Sequence, residues 1–256
     1  MSDVILYEKR ENIGIITINR PKANQLSGEV FEEFRKALDA CEADRELRAI
    51  VVTGSGDRIF SAGADLSAGF GDYGPVDFLK RGQDLCNKIE DFPRPVIGAL
   101  NGHAFGGGCE IAMACHFRFM SDEARIGLTE TNIGIMPGYG GSLRMPRLVG
   151  KARALEYICF AKQIDAAEAL AVGLVNYVFP KDKVLAEAIE FAKKLAARPP
   201  LAVSAVLKLL SASPSISPEQ HLKIERESLA RLFGSKDTAE GLGAFMEKRQ
   251  PVFKGE

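Results

Sequence analysis

Cysteine is sparse in this chain and carries no pattern. The five present (Cys41, Cys86, Cys109, Cys115 and Cys159) are odd in number and lack CxxC spacing. They read as reduced thiols of a cytosolic protein, not as a disulfide frame or a zinc site. Histidine is scarcer still: the three show no HExxH or similar spacing, so no metal site is expected. No charge of one sign dominates; 33 basic against 34 acidic residues leave a net charge of −1. A near-neutral chain gives no electrostatic support for a nucleic-acid partner. No apolar run is long enough to span a bilayer. The opening MSDVILYEKRENIG has no basic segment followed by an apolar one, so no secretory signal is visible and a cytoplasmic location is expected. Internal repeats and low-complexity tracts are absent as well. What remains is 256 residues, 46% of them apolar, enough for a sizeable core.

The order of elements reads as α/β. VILYEKRENIGIITINRP predicts two short strands around a polar turn at Glu11 and Asn12. A helix from Gly28 to Ala43 follows, with Ser27 as its N-cap and Val30, Phe34, Leu38 and Cys41 on one face. LRAIVVTG, PVIGAL and HFRFM read as further strands, with functional groups expected on the loops at strand ends. IDAAEALAVG has Asp165 and Glu168 at capping-box spacing and Gly173 as a stop. Leu185, Ala188, Ile189, Ala192 and Leu195 form a helical stripe. Beyond RPP the chain is nearly all helical. SPEQ supplies Ser217, Pro218 and Gln220 as a helix start, and DTAE predicts the same device with Asp237 and Glu240. The expected division is an α/β core over residues 1–197 and a helical region over 198–256. The glycine-rich stretch 67–75 reads as a mobile loop.

The segment HAFGGGCEIAMAC (103–115) bares its backbone immediately before a carboxylate and a helix. A phosphate loop would need GK[ST] after the glycines, whereas Cys109 and Glu110 follow Gly108. TGSGDRI has only a partial dinucleotide fingerprint, because Ile59 stands where the third glycine belongs. An oxyanion hole fits better. N–H groups at a helix start have no acceptor inside the helix, the helix dipole adds positive charge there, and glycine permits close approach. One such donor is worth roughly 3 kcal/mol in a transition state. FSAGADL, with Ala62, Gly63 and Ala64, leaves the backbone equally open and offers a second donor. Alone it reads as a tight turn; paired with the glycine loop it reads as function.

Two carboxylates accompany these loops. Glu110 lies in the first turn of its helix, where a negative charge is favourable in any case. Glu130 lies in ARIGLTETNIGIMPGYGGS, which by itself reads as a surface turn. As a pair at one site they would serve as general base and general acid. GHAFGGGCEIAMAC, FSAGADL, the Glu130 segment with NIGIMPGYGG and LVG, IDAAEALAVGLVNYV and the ending FMEKRQPVFKG resemble, in order and nearly end to end, the crotonase (enoyl-CoA hydratase/isomerase) superfamily. The resemblance implies a spiral of ββα units and C-terminal helices that build a homotrimer or a dimer of trimers. It implies an acyl-CoA substrate with no separate cofactor, CoA being part of that substrate. It also implies an oxyanion hole from the N–H groups of Ala62 and Gly107, a substrate-lining segment Ala62, Gly63, Ala64 and Asp65, and Glu110 and Glu130 as the hydratase acids. Lys248, in the last helix, is similar to a family position that reaches a neighbour's CoA. The implied reaction adds water across the C2=C3 bond of a 2-enoyl-CoA.

The chain departs from the family pattern at three places. Thr129 stands where many relatives have proline, His116 where many have aspartate, and the early segment reads NQLS instead of NALN. The first of these bears on the aim of Glu130 and leaves a cyclic or branched enoyl thioester open. Within the superfamily, isomerase, hydrolase and decarboxylase chemistry are the alternatives. Outside it stand a thiol hydrolase using Cys109 with His103 or His116, and a non-catalytic binding protein.

Overall fold

The first pair of strands shows how the sheet begins. In the computed structural model, which describes residues 3–69 and 73–256, β1 (Ile5–Arg10) and β2 (Ile13–Ile18) pair antiparallel. Glu11 turns between them with φ 56°. Helix α1 (Gly28–Ala43) follows, its N-cap Ser27 accepting the Val30 N–H. The two-strand, one-helix unit then recurs. β3 (Ala49–Gly54), β4 (Ile59–Ser61) and α2 (Pro75–Glu90) form one repeat. β5 (Val96–Leu100), β6 (His103–Phe105) and α3 (Gly107–Ala114) form the next. β7 (Phe117–Ser121), β8 (Arg125–Gly127) and α4 (Gly141–Val149) form the last. α5 (Lys151–Cys159), β9 (Ile164–Asp165), α6 (Ala166–Ala171), β10 (Tyr177–Phe179) and α7 (Val184–Ala196) complete the α/β part.

The first strand of each of the last three units joins a large sheet ordered β1-β2-β3-β5-β7-β10, which also holds both strands of the opening pair, and the second joins a small sheet ordered β4-β6-β8-β9. Equivalent strands of successive repeats are parallel, so the chain advances as a spiral. The large sheet is covered on both faces, which is why β3 is buried at every position. Ile50 and Val52 face the main core. Ala49 and Val51 face the other way, against Val184, Ala188 and Ala192 of α7. The stripe expected on α7 is therefore a sheet-packing face.

Three helices follow: α8 (Pro200–Ala212), α9 (Pro218–Phe233) and α10 (Lys236–Glu247). α9 opens with the expected capping box, Ser217 and Gln220 bonding reciprocally. α10 does not open as expected. Its N-cap is Ser235, which accepts the Thr238 N–H, while Asp237 is buried and accepts the N–H groups of Lys254 and Gly255. The aspartate fastens the C-terminal tail instead of capping the helix. No residue of α8 or α9 is buried, and Leu210, Phe233, Phe245 and Met246 are each more than half exposed. Among the described residues no single helix is long and apolar enough to cross a membrane.

Candidate active site

Three loops at strand ends meet over the N-terminus of α3. The β6–α3 turn brings Gly106 to φ 52° and starts the helix at Gly107. Beside it runs the loop after β4. A Cβ added to Gly63 would lie 2.9 Å from the Gly107 nitrogen and from the Phe105 oxygen, so the two glycine loops touch backbone to backbone. Gly63 also has φ 90°, which an L side chain rarely adopts. Gly108 is pressed against the Ser61 carbonyl, and Gly107 against the Tyr139 ring. The bareness of GGG is thus a packing requirement as well as an opening.

Which amides remain free differs from the sequence expectation. The Ala62 N–H donates to the Ala23 oxygen at 2.9 Å and is consumed within the fold. Ala62 lines the cleft but cannot also serve an oxyanion. Ala64 can. Leu26 pairs with it as an isolated parallel bridge, the Leu26 N–H donating to Gly63 O (2.8 Å) and the Leu26 oxygen accepting from Asp65 N (2.9 Å). Such a bridge leaves the N–H of Ala64 pointing away from Leu26, and no hydrogen bond engages it among the described residues. The Gly107 N–H, first in its helix, has no intrahelical acceptor. The pair of open donors is therefore Ala64 and Gly107.

Glu110 lies one turn beyond Gly107 and on the same face of α3. It is 1% exposed, and its Oε1 accepts the N–H groups of Tyr139 and Gly141, both at 2.7 Å. Burial pushes its carboxyl up to about 7, the Glu130 charge pushes the same way, and the two amides pull against both. Glu130 opens a short 3₁₀ turn, Glu130–Ile133. Its Oε1 comes within 3.2 Å of a Cβ placed on Gly106, and its Oε2 is buried without a hydrogen-bond partner among the described residues. Burial raises its carboxyl too. Thr129 before it has φ −102°. That lies outside the range near −65° in which a proline ring would hold the backbone.

Both acids and both amides line one cleft of about 1140 Å³. Its apolar wall comes from Leu66, Phe78, Leu79, Ile133, Ile135 and Met136. Asp65 does not line the cleft. Its carboxylate accepts from Arg20 (2.9 Å) and Ser67 (2.7 Å), bracing the loop from behind. Lys248 lies outside the cleft too. It is the exposed C-cap of α10, with φ 56°, not a residue within the last helix. The stretch 67–75 borders the cleft through Pro75, while its centre, residues 70–72, lies outside the described residues.

The thiol alternative fails on geometry. Cys109 is wholly buried, and burial plus the Glu130 and Glu110 charges raise its thiol far above the usual range. Neither histidine is placed to help it. His116 accepts the Val96 N–H at Nδ1 (2.9 Å) and has Nε2 3.1 Å from the Glu90 oxygen, and burial lowers its imidazole to about 4. His103 accepts the Arg125 N–H at 2.9 Å. The sequence reading missed Tyr139 and Gly141, whose backbone N–H groups hold Glu110. Backbone donors leave no residue-type signature, and only the run PGYGG hinted at an open turn.

Residues 8–256 match the family model described as enoyl-CoA hydratase/isomerase. A probable enoyl-CoA hydratase of Bacillus subtilis is 45% identical over 251 residues, covering 95% of this chain and 96% of that protein. A short-chain-enoyl-CoA hydratase of Clostridium acetobutylicum is 37% identical, covering 96% of this chain and 95% of its own length. The crystal structure of an enoyl-CoA hydratase from Bacillus anthracis superposes with a TM-score of 0.95 at 37% identity, covering 99% of this chain and 100% of that one. With the ββα spiral and near end-to-end coverage, these matches establish that the chain belongs to the enoyl-CoA hydratase/isomerase family of the crotonase superfamily.

Proposed function

We propose that the protein hydrates a 2-enoyl-CoA thioester to a 3-hydroxyacyl-CoA. The observation that carries this reading is the convergence on one cleft of two amides unengaged among the described residues and two carboxyls, Glu110 buried and Glu130 half-buried, both raised by desolvation. The N–H groups of Ala64 and Gly107 hold the thioester oxygen and stabilise the enolate that forms as water adds at C3. Glu110, as carboxylate, orients that water and takes its proton. Glu130, protonated, gives a proton to C2 as the enolate collapses. One acid ends protonated and the other ionised, and a proton exchange between them resets the site. Burial raises both carboxyls, Glu110 to about 7, which suits a base and an acid sharing one cleft. CoA enters as part of the substrate, and the same reading covers a cytoplasmic enzyme without a separate cofactor. The buried unpartnered Oε2 of Glu130 supports a role toward a group entering the cleft.

The same reading includes self-association. Apolar side chains left uncovered on α8, α9 and α10 support a homotrimer or a dimer of trimers, in which exposed Lys248 would approach a neighbour's CoA.

Purified protein given a short 2-enoyl-CoA is expected to bleach the conjugated-thioester absorbance. Glu110→Gln and Glu130→Gln should each lower turnover by roughly 10²–10⁴-fold while the fold is kept. Full activity in both variants overturns the assignment. A panel of linear, branched and cyclic enoyl thioesters, run beside 3-enoyl isomers, sorts hydration from isomerisation and fixes the acyl class.

A further inference from the structure

Arg144 is a buried charge that the reaction does not use. It sits on α4, 3% exposed, and each of its three guanidinium nitrogens has a partner. Nε and Nη2 lie 2.9 and 2.7 Å from Glu90 Oε2, Nη2 donates to Asn87 Oδ1 at 2.7 Å, and Nη1 donates to the Tyr139 carbonyl at 3.0 Å. Burying a guanidinium is costly unless every donor finds a partner, and here the partners join two separate elements. Asn87 and Glu90 belong to α2, and Tyr139 to the loop that leads into α4.

That loop is the one that holds Glu110. We propose that Arg144 is a positioning residue: its fork fixes the Tyr139–Gly141 turn so that two backbone N–H groups converge on Glu110 Oε1. The turn is shaped around both partners. Gly140 has φ 101°, and a Cβ there would collide with Arg144 Nη1. A Cβ on Gly141 would lie 3.0 Å from Glu110 Oε1. The guanidinium thus grips one side of the turn while the carboxylate takes the N–H groups of the other. A helix α2 that shifts would carry the grip with it, so Arg144 ties the base to the apolar wall that Phe78 and Leu79 of the same helix supply.

The arrangement also sets the charge balance at Glu110. Glu130, from the turn after β8, disfavours its ionised form; Arg144 and the two amides favour it. The Tyr139 phenol, Cys86 of α2 and Cys109 of its own helix stay neutral, each raised by burial. Arg144 is the one cation acting on Glu110 within this set.

The proposal rests on Glu110 being the base, so its test includes a readout that needs no turnover. Protein carrying carboxyl-¹³C glutamate is titrated by NMR, with the Glu110 signal assigned by its loss in Glu110→Gln. The parent should titrate near 7. In Arg144→Met the midpoint should rise by roughly 1 pH unit, because an opposite charge has gone. Arg144→Lys keeps a charge but not the fork. Its kcat on an enoyl-CoA should fall about tenfold with KM little changed, as expected for a misplaced base. A merely structural arginine would lower the melting temperature and move neither quantity. If Arg144→Met does not fold, the lysine variant decides. An unmoved midpoint in folded Arg144→Met, or a parent-like kcat in Arg144→Lys, overturns the proposal. If the parent hydrates no enoyl thioester, the functional reading fails while the titration still decides the role of Arg144.

Discussion

Glu110 is held where its charge is costly. Its carboxyl rises from 4.5 to about 7 because burial outweighs the two amides. Between those values the folded chain keeps a proton that the unfolded chain has lost. Stability therefore falls as pH rises through that window, by about 3 kcal/mol once pH exceeds 7. Glu110→Gln removes the titration but keeps an oxygen for the Tyr139 and Gly141 N–H groups. The variant should be more stable than the parent at pH 8, by up to about 3 kcal/mol, with the gap closing toward pH 4. Urea unfolding of both proteins at pH 5 and pH 8 measures this. A gap that does not change with pH would show that the carboxyl titrates normally. The residue-scale reading from sequence found both acids and both glycine loops, because carboxylates and glycines are written in the residue types. It chose Ala62 over Ala64 because the choice depends on hydrogen bonds made elsewhere. Ala23 takes the first amide, and Leu26 turns the second outward. Neither neighbour carries a sequence signal for that role.

Elements were legible in proportion to their length. α1, with its apolar face and its Ser27 cap, has the bounds that its pattern predicts. The three-residue strands β4, β6 and β8 carry no strand signal in the sequence, since three residues cannot display a period. Yet these short strands stack the repeats and bring Ser61 against α3. Gly108 makes that contact: a Cβ there would overlap the Ser61 carbonyl and lie 2.8 Å from its carbon. Neither backbone can retreat, because β4 is paired to β6 and α3 is buried along its whole length. Gly108→Ala should therefore destabilise the fold by roughly 1–3 kcal/mol or more and depress activity with it. Gly98→Ala, in the middle of β5, would meet Cys115 and Leu100 side-chain atoms no closer than 3.4 Å, ordinary contacts, and should cost far less. Thermal melts and hydratase assays on the two alanine variants measure the contrast. Equal losses would mean that the glycine loop and β4 can slide apart, and the shared site would lose its rigidity argument.

At the scale of the whole molecule, apolar side chains are unevenly covered. The sheet core is sealed on both faces, whereas the last three helices leave Val206, Leu210, Leu229, Phe233, Phe245 and Met246 more than half exposed. Scattered exposed apolar residues need no explanation, but several large ones on consecutive helices form the kind of surface that association buries. The boundary expected near residue 197 falls between α7, which packs on the sheet, and α8, which has no buried residue. A helix without a buried face in its own chain draws stability from elsewhere, as isolated helices of this length are marginal in water. Light scattering coupled to gel filtration should give three or six times the chain mass. Phe233→Asp with Phe245→Asp should shift the mass toward one chain and lower the melting temperature of the last helices first, since a charge cannot be buried unpaired at a subunit contact. Amide exchange read across α8, α9 and α10 would show the loss locally, while the sheet, closed by α7, should keep its protection. A parent that runs as a single chain, with those helices already protected, would mean that the exposed side chains contribute nothing to stability. The homotrimer would then fall, although the site, built wholly from one chain, would stand.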